Sequence, residues 1–275
     1  MKLAGSKVLL TGATGGLGAT LARALHGRGA RLVLSGRRLE VLQGLADELG
    51  AQAIAADLSG RDQVERLAAA TADVDVLIAN AAVVGSGHLL ELSQPQIDAM
   101  LEIDLRAPIA LARALAPAMA SRGRGQIVLI SSLSGKAASP AASIYSASKF
   151  GLRGFAHGAR ADLRGSGVGV SVIMPGFIRD AGMFADANVK LPPGAGTSSP
   201  EQVASAVISA IERNRGEVTV APLALRAGAS AAAAFPGIAA FGQRLFGAAR
   251  LAGRISAGQA VKRPEDAPLR PPDER

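Results

Sequence analysis

The chain has no cysteine and no tryptophan, and aromatic residues make up only 3% of its 275 positions. Without cysteine there can be no disulfide and no thiolate metal site, so a reducing cytoplasm is the expected compartment. No uninterrupted apolar run reaches the roughly 20 residues that span a bilayer. The start, MKLAGSKVLLTGATGG, has glycines and Lys7 where a signal peptide would need a continuous apolar stretch. The formal charge of +8 suggests a nucleic-acid partner. However, the basic residues are scattered, none forms a run of five, and the rings that would stack on bases are nearly missing. Nucleic acid is therefore not expected as a partner. His26, His88 and His157 are isolated and lack metal-ligand spacing, so no metal is expected either. Tyrosine occurs once, as Tyr145 within SSLSGKAASPAASIYSASKF.

What is present is an alternation. Short apolar or β-branched runs fall at Lys7–Thr11, Arg31–Ser35, Gln52–Ala56, Val74–Ala79, Gln126–Ser131, Gly169–Met174 and Glu217–Val220. Between them, helical spacing covers Leu17–Arg28, Leu39–Leu49, Gln63–Ala70, Gln94–Arg122, Ser146–Arg164 and Pro200–Arg213. Ser93 with Gln96, and Ser199 with Gln202, have the spacing of capping boxes at two helix starts. This pattern predicts an α/β fold, a doubly wound Rossmann-like parallel sheet in one domain over residues 1–222. Residues 223–275 form an Ala/Gly- and then Pro-rich extension whose last dozen residues are expected to be disordered. Within it Ile238, Phe241, Leu245 and Ala249 follow helical spacing, with Arg244, Arg250 and Arg254 toward the other side. Such a helix can pack on the domain, join a subunit interface or lie on an anionic membrane, in that order of preference.

The first strand runs into VLLTGATGGLGATLARAL. Gly12, Gly16 and Gly18 let the backbone turn sharply and approach a pyrophosphate at the positive end of the next helix, with Thr14 and Leu17 beside them. The end of the second strand selects the nucleotide. An acidic residue there would repel a 2′-phosphate, but this chain has Ser35-Gly36-Arg37-Arg38. A guanidinium can grip that phosphate, and the other arginine can cap loop surface, so NADP(H) is favoured over NAD(H). Tyr145 and Lys149 stand one helical turn apart and share a face, which lets the ammonium lower the phenol's pKa from about 10. Ser132, at the end of the fifth strand, lies on the edge where open α/β sheets bind ligands.

The TGxxxGxG turn, with Ser132, Tyr145 and Lys149 in order, resembles the short-chain dehydrogenase/reductase superfamily over about the first 222 residues. The turn also satisfies TGxxGxxG through Gly15, so it does not choose between that superfamily's branches, whereas YxxxK is similar to the single-domain one. The resemblance implies an oxidoreductase acting on a carbonyl or secondary alcohol. Tyr145 would exchange the proton, Lys149 would also hold the nicotinamide ribose, and Ser132 would position the substrate. It also implies contacts to the cofactor from Asp57, Leu58, Asn80 and Ala81, and from Pro175, Gly176 and Ile178. It implies a homodimer or homotetramer paired through the long helices. Two positions depart from the pattern: Asp104 stands where the family has an asparagine in its catalytic group, and Asp180 replaces a threonine. The asparagine's role belongs largely to the main chain, so Asp104 is kept as a catalytic candidate, able to pair with Lys149. Phe177, Met183 and Phe184 lie in the segment that would form a lid, pointing to a small apolar substrate. The remaining alternatives are an epimerase or dehydratase of the same superfamily and a non-catalytic nucleotide sensor.

Overall fold

The computed structural model describes residues 1–83, 86–182, 184–185, 189, 191, 196–235, 237 and 252–255. The expectations for Met183, for the tail helix at 238–251 and for the final dozen residues lie outside these. Seven strands, β1 (Lys7–Thr11), β2 (Arg31–Gly36), β3 (Gln52–Ala55), β4 (Val76–Ala79), β5 (Gly125–Ile130), β6 (Val168–Pro175) and β7 (Glu217–Val220), form one sheet. Their order is β3-β2-β1-β4-β5-β6-β7, and every pairing is parallel. Parallel neighbours need crossovers, and helices supply them. These are α1 (Gly16–His26), α2 (Leu39–Leu49), α3 (Arg61–Ala70), α4 (Gln94–Leu101), α5 (Ala107–Ser121), α6 (Ser143–Asp162) and α7 (Pro200–Arg213), followed by α8 (Leu223–Ala234).

The alternation of side chains along each strand divides the core into two layers. Val8, Leu10, Val76, Ile78 and Val128 pack on one face with Leu21 and Leu25 of α1, Leu42 of α2 and Val203 and Val207 of α7. Leu9, Leu77, Ile127 and Leu129 face the other way, onto Leu67 of α3, Leu111 and Leu115 of α5 and Leu152 of α6. Strand order reverses between β1 and β4, so the loops leaving these two strands diverge and open a crevice at their carboxyl ends. Both capping boxes form, Ser93 with Gln96 and Ser199 with Gln202.

Several boundaries differ from the sequence reading by a residue or more. Strand β4 starts at Val76 rather than Val74. Helix α6 starts at Ser143, which places Tyr145 in its first turn. The single helix expected at 94–122 is interrupted by a π-helical turn at Glu102–Arg106, where the Ala107 N–H bonds the Glu102 carbonyl. Pro108 explains the wider turn. It has no N–H to give the Asp104 carbonyl four residues back, and its ring crowds that carbonyl. Among the described residues no helix is long and apolar enough to cross a membrane.

Candidate active site

The crevice is built first from backbone. Gly12 has φ +66°, and a Cβ there would stand 2.7 Å from Ala81 Cα. The loops after β1 and β4 thus touch main chain to main chain. Side chains lock that contact. Thr11 Oγ1 accepts the N–H groups of Asn80 and Ala81, each at 3.1 Å. The Asn80 amide donates to the carbonyls of Thr11 (3.1 Å) and Gly12 (3.2 Å). A Cβ on Gly18 would lie only 2.1 Å from the Gly12 carbonyl oxygen, so the first turn of α1 also depends on a bare backbone. Helix α1 has no side-chain cap and no acidic residue in its first turn. Its leading N–H groups, next to exposed Gly15 and Gly16, therefore suit an anion.

The two arginines after β2 diverge in role. The Arg38 guanidinium folds back and donates to the Thr14 carbonyl at 2.7 Å, while Arg37 is exposed beside the crevice. Asp57 closes its own turn by accepting the Ser59 N–H and hydroxyl, and Leu58 is buried under it. At the far side the Gly176 N–H bonds the Val220 carbonyl. Ile178 pairs with Ser198, which anchors both ends of the segment that follows Pro175. Asp180 takes a left-handed conformation (φ 67°) and pairs with Arg179. Ala181 then lies over Gly16, so this segment reaches across to the glycine turn. The rings of Phe177 and Phe184 meet at a tilt of 51° with centroids 4.9 Å apart.

Ser132, Tyr145, Lys149 and Asp104 come together beyond β5. A short 3₁₀ turn at Leu133–Gly135 carries Ser132 onto α6, and its contact is close. A Cβ on Gly135 would be 2.6 Å from the Lys149 carbonyl oxygen, and the Ser131 hydroxyl donates to that same oxygen at 3.0 Å. Tyr145 is half-buried, and its phenol lies near enough to the Ser132 hydroxyl for that hydroxyl to favour the phenolate. Lys149 Nζ sits 5.3 Å from the phenol ring centroid. Lys149 is buried and faces Asp104, with Nζ to Oδ2 at 3.3 Å. Asp104 Oδ1 accepts the Val83 N–H at 2.8 Å.

The electrostatics correct one expectation. Lys149 does pull the Tyr145 phenol down, and so does Ser132. Burial pushes it up more strongly, and the Asp104 carboxylate adds to that push, so the phenol titrates above its ordinary value rather than below it. Burial opposes the Lys149 ammonium, but Asp104 and Tyr145 outweigh it and hold the amine above the usual lysine value. Burial also raises the Asp104 carboxyl, against the pull of Lys149 and the Val83 N–H.

Two contributors were missed in the sequence. One is the Thr11 hydroxyl, which was readable only as a polar end to an apolar strand. The other is Glu217, which draws Lys136 (3.0 Å), Arg153 (2.7 Å) and His157 (2.9 Å) together and so ties the end of the Ser132 turn to the edge strand. Spacing puts Arg153 and His157 one turn apart on α6, but nothing in it links them to Lys136 or Glu217.

A doubly wound sheet with a glycine turn at its switch point defines a Rossmann-like nucleotide-binding fold. Comparison with known proteins narrows that class. The short chain dehydrogenase family model matches residues 6–191. The ketoacyl reductase HetN of Nostoc sp. is 39% identical over 227 residues, 79% of each chain. Among solved structures, one described as a putative betaketoacyl-ACP reductase is similar with a TM-score of 0.74 at 28% identity, covering 82% of this chain and 99% of its own. A short-chain dehydrogenase from Sphingobium yanoikuyae in complex with NADPH is similar with a TM-score of 0.71 at 28% identity, covering 88% and 95%. The chain belongs to the short-chain dehydrogenase/reductase family and is an oxidoreductase of that family.

Proposed function

We propose that this protein uses NADP(H) to interconvert a small apolar ketone and its secondary alcohol, with Tyr145 as the general acid and base. The observation that carries this reading is the convergence of Ser132, Tyr145 and Lys149 at the carboxyl edge of the sheet, beside the glycine turn. The residues suit the cofactor on the structure's own terms. The amides at Gly12, Thr14, Gly16, Leu17 and Gly18 would take the pyrophosphate, and Arg37, with Arg38, the 2′-phosphate. Asp57 and Leu58 would border the adenine, and Asn80 and Ala81 the adenosine side of the crevice. Tyr145 and Lys149 would meet the nicotinamide ribose, and Pro175, Gly176 and Ile178 the ring. Complexes with NADPH or NADP+ among similar solved proteins support the choice of NADP(H).

When bound, NADP(H) supplies or accepts the hydride at its nicotinamide ring. The protein manages the proton. The Ser132 hydroxyl and the Tyr145 phenol both reach the substrate oxygen. In reduction Tyr145 Oη gives its proton to that oxygen as it becomes an alcohol, and in oxidation the phenolate takes it back. Lys149 stabilises the phenolate that is left, and Asp104 stands behind Lys149. The paired rings of Phe177 and Phe184 favour an apolar substrate. We assign residues 1–222 to a single catalytic domain. Subunits pair into a homodimer or homotetramer through the helices at 94–121 and 143–162. A panel of ketones and secondary alcohols, followed by NADPH absorbance, tests the reading. Turnover is expected with at least one apolar ketone, and no turnover across the panel with NADPH bound would reject it.

A further inference from the structure

Among the described residues, Asp104 Oδ2 is one of two buried side-chain nitrogen or oxygen atoms without a hydrogen bond of good geometry. It faces Lys149 Nζ at 3.3 Å, with side-chain exposures of 0% for Asp104 and 2% for Lys149. The contact is thus one of charge more than of direction. The carboxylate cannot swing away, because its other oxygen is held by the Val83 N–H beyond β4. The π-helical turn before Pro108 carries it into the interior. Other charged groups nearby are engaged elsewhere. Glu102 pairs with Arg106 and Arg61, and Lys136 pairs with Glu217. The His88 ring accepts the Leu90 N–H. Asp98 is bonded to Gln94. Ser132 and Asn80, which border the site from β5 and β4, carry no charge. Tyr145 therefore faces a paired ammonium and carboxylate, not a lone ammonium.

An unpaired buried ammonium beside a phenol favours the phenolate, whereas a neutral pair does so far less. We infer that Asp104 is a positioning residue that offsets the Lys149 charge felt by Tyr145, holding the phenol as a proton donor to higher pH and biasing the site toward carbonyl reduction. This rests on the proposed function for its consequence, though not for its physics. Burial and Asp104 both act to raise the phenol's titration, in line with the geometry.

The test is ultraviolet titration of the full-length, cofactor-free protein, in which Tyr145 is the sole tyrosine and tryptophan is absent. The wild-type phenol should titrate above about 10. In Asp104→Asn, which keeps the shape and an acceptor for Val83, the midpoint should fall by about one unit or more. The rising limb of alcohol oxidation, which needs the phenolate, should move down in pH with it, a shift that a merely structural role would not produce. Asp104→Ser serves as the second variant, and circular dichroism on the same samples checks that each remains folded. A midpoint that stays in place or rises in a folded variant overturns the inference, as does a wild-type midpoint below about 10. Because the titration needs no turnover, a shifted midpoint in an inactive protein would sink the proposed function alone. An unshifted midpoint in an active one would sink only this inference.

Discussion

Replacing Gly12 with alanine tests whether the cofactor crevice rests on a backbone-to-backbone contact. Two costs add. At φ +66° an alanine sits in the left-handed region, at about 1–2 kcal/mol. Its Cβ would also stand 2.7 Å from Ala81 Cα, so the two loops must part by about 0.7 Å to reach ordinary contact at 3.4 Å. That movement strains the bonds from Asn80 and Ala81 to Thr11 and from Asn80 to Gly12, and losing one or two costs about 0.5–1.5 kcal/mol each. The sum is about 3 kcal/mol, or a fall of about 6–12 °C in melting temperature for a chain of this size. Such a chain still folds, but its glycine turn is displaced, and NADPH affinity should drop at least about tenfold, or about 1.4 kcal/mol. The control is three residues away. Gly15 has φ −80°, and a Cβ there meets only the Gly12 carbonyl oxygen at 3.5 Å, so Gly15→Ala should scarcely change the melting temperature. Differential scanning calorimetry and NADPH fluorescence on both variants provide the assay. Equal melting temperatures for the two variants would refute the reasoning.

Cofactor choice and acid stability can be tested in parallel. NADPH should bind at least about tenfold more tightly than NADH, and Arg37→Ala should remove most of that gap; equal dissociation constants in the wild type would reject the assignment. For Glu217, burial works to raise the carboxyl, but hydrogen bonds from Arg153, Lys136 and His157 outweigh it and hold the value at about 2, against an ordinary 4.5. A depressed carboxylate stabilises the fold above its unfolded value and loses that contribution as pH falls through the folded one. The melting-temperature advantage of wild type over Glu217→Gln should therefore be full above pH 4.5 and shrink toward pH 2. An advantage that is constant over that range would contradict the sign.

The layer order of the fold was readable because strand and helix periods alternate without interruption, and a parallel sheet follows from that alternation. The site's backbone was readable at Gly12 and Gly18, where only a missing Cβ allows the approach. Less was readable where distant elements meet. The π-helical turn before Pro108 leaves the apolar period of 94–122 nearly unchanged, so periodicity alone reads one helix. The sign of the Tyr145 shift depends on how deeply the phenol is covered and on a carboxylate forty-one positions earlier. Spacing shows the lysine one turn away, but it cannot weigh that attraction against burial. Likewise Thr11 looks like an ordinary strand end until β4 arrives beside it.

The central claim is that one phenol exchanges the proton. Tyr145→Phe removes a single oxygen and keeps the ring on α6, so NADPH binding and the melting temperature should stay close to wild type. The rate of ketone reduction should fall by about 10²–10⁴-fold, the usual loss when a general acid is removed. A Tyr145→Phe protein that reduces the same ketone at the wild-type rate would contradict the account.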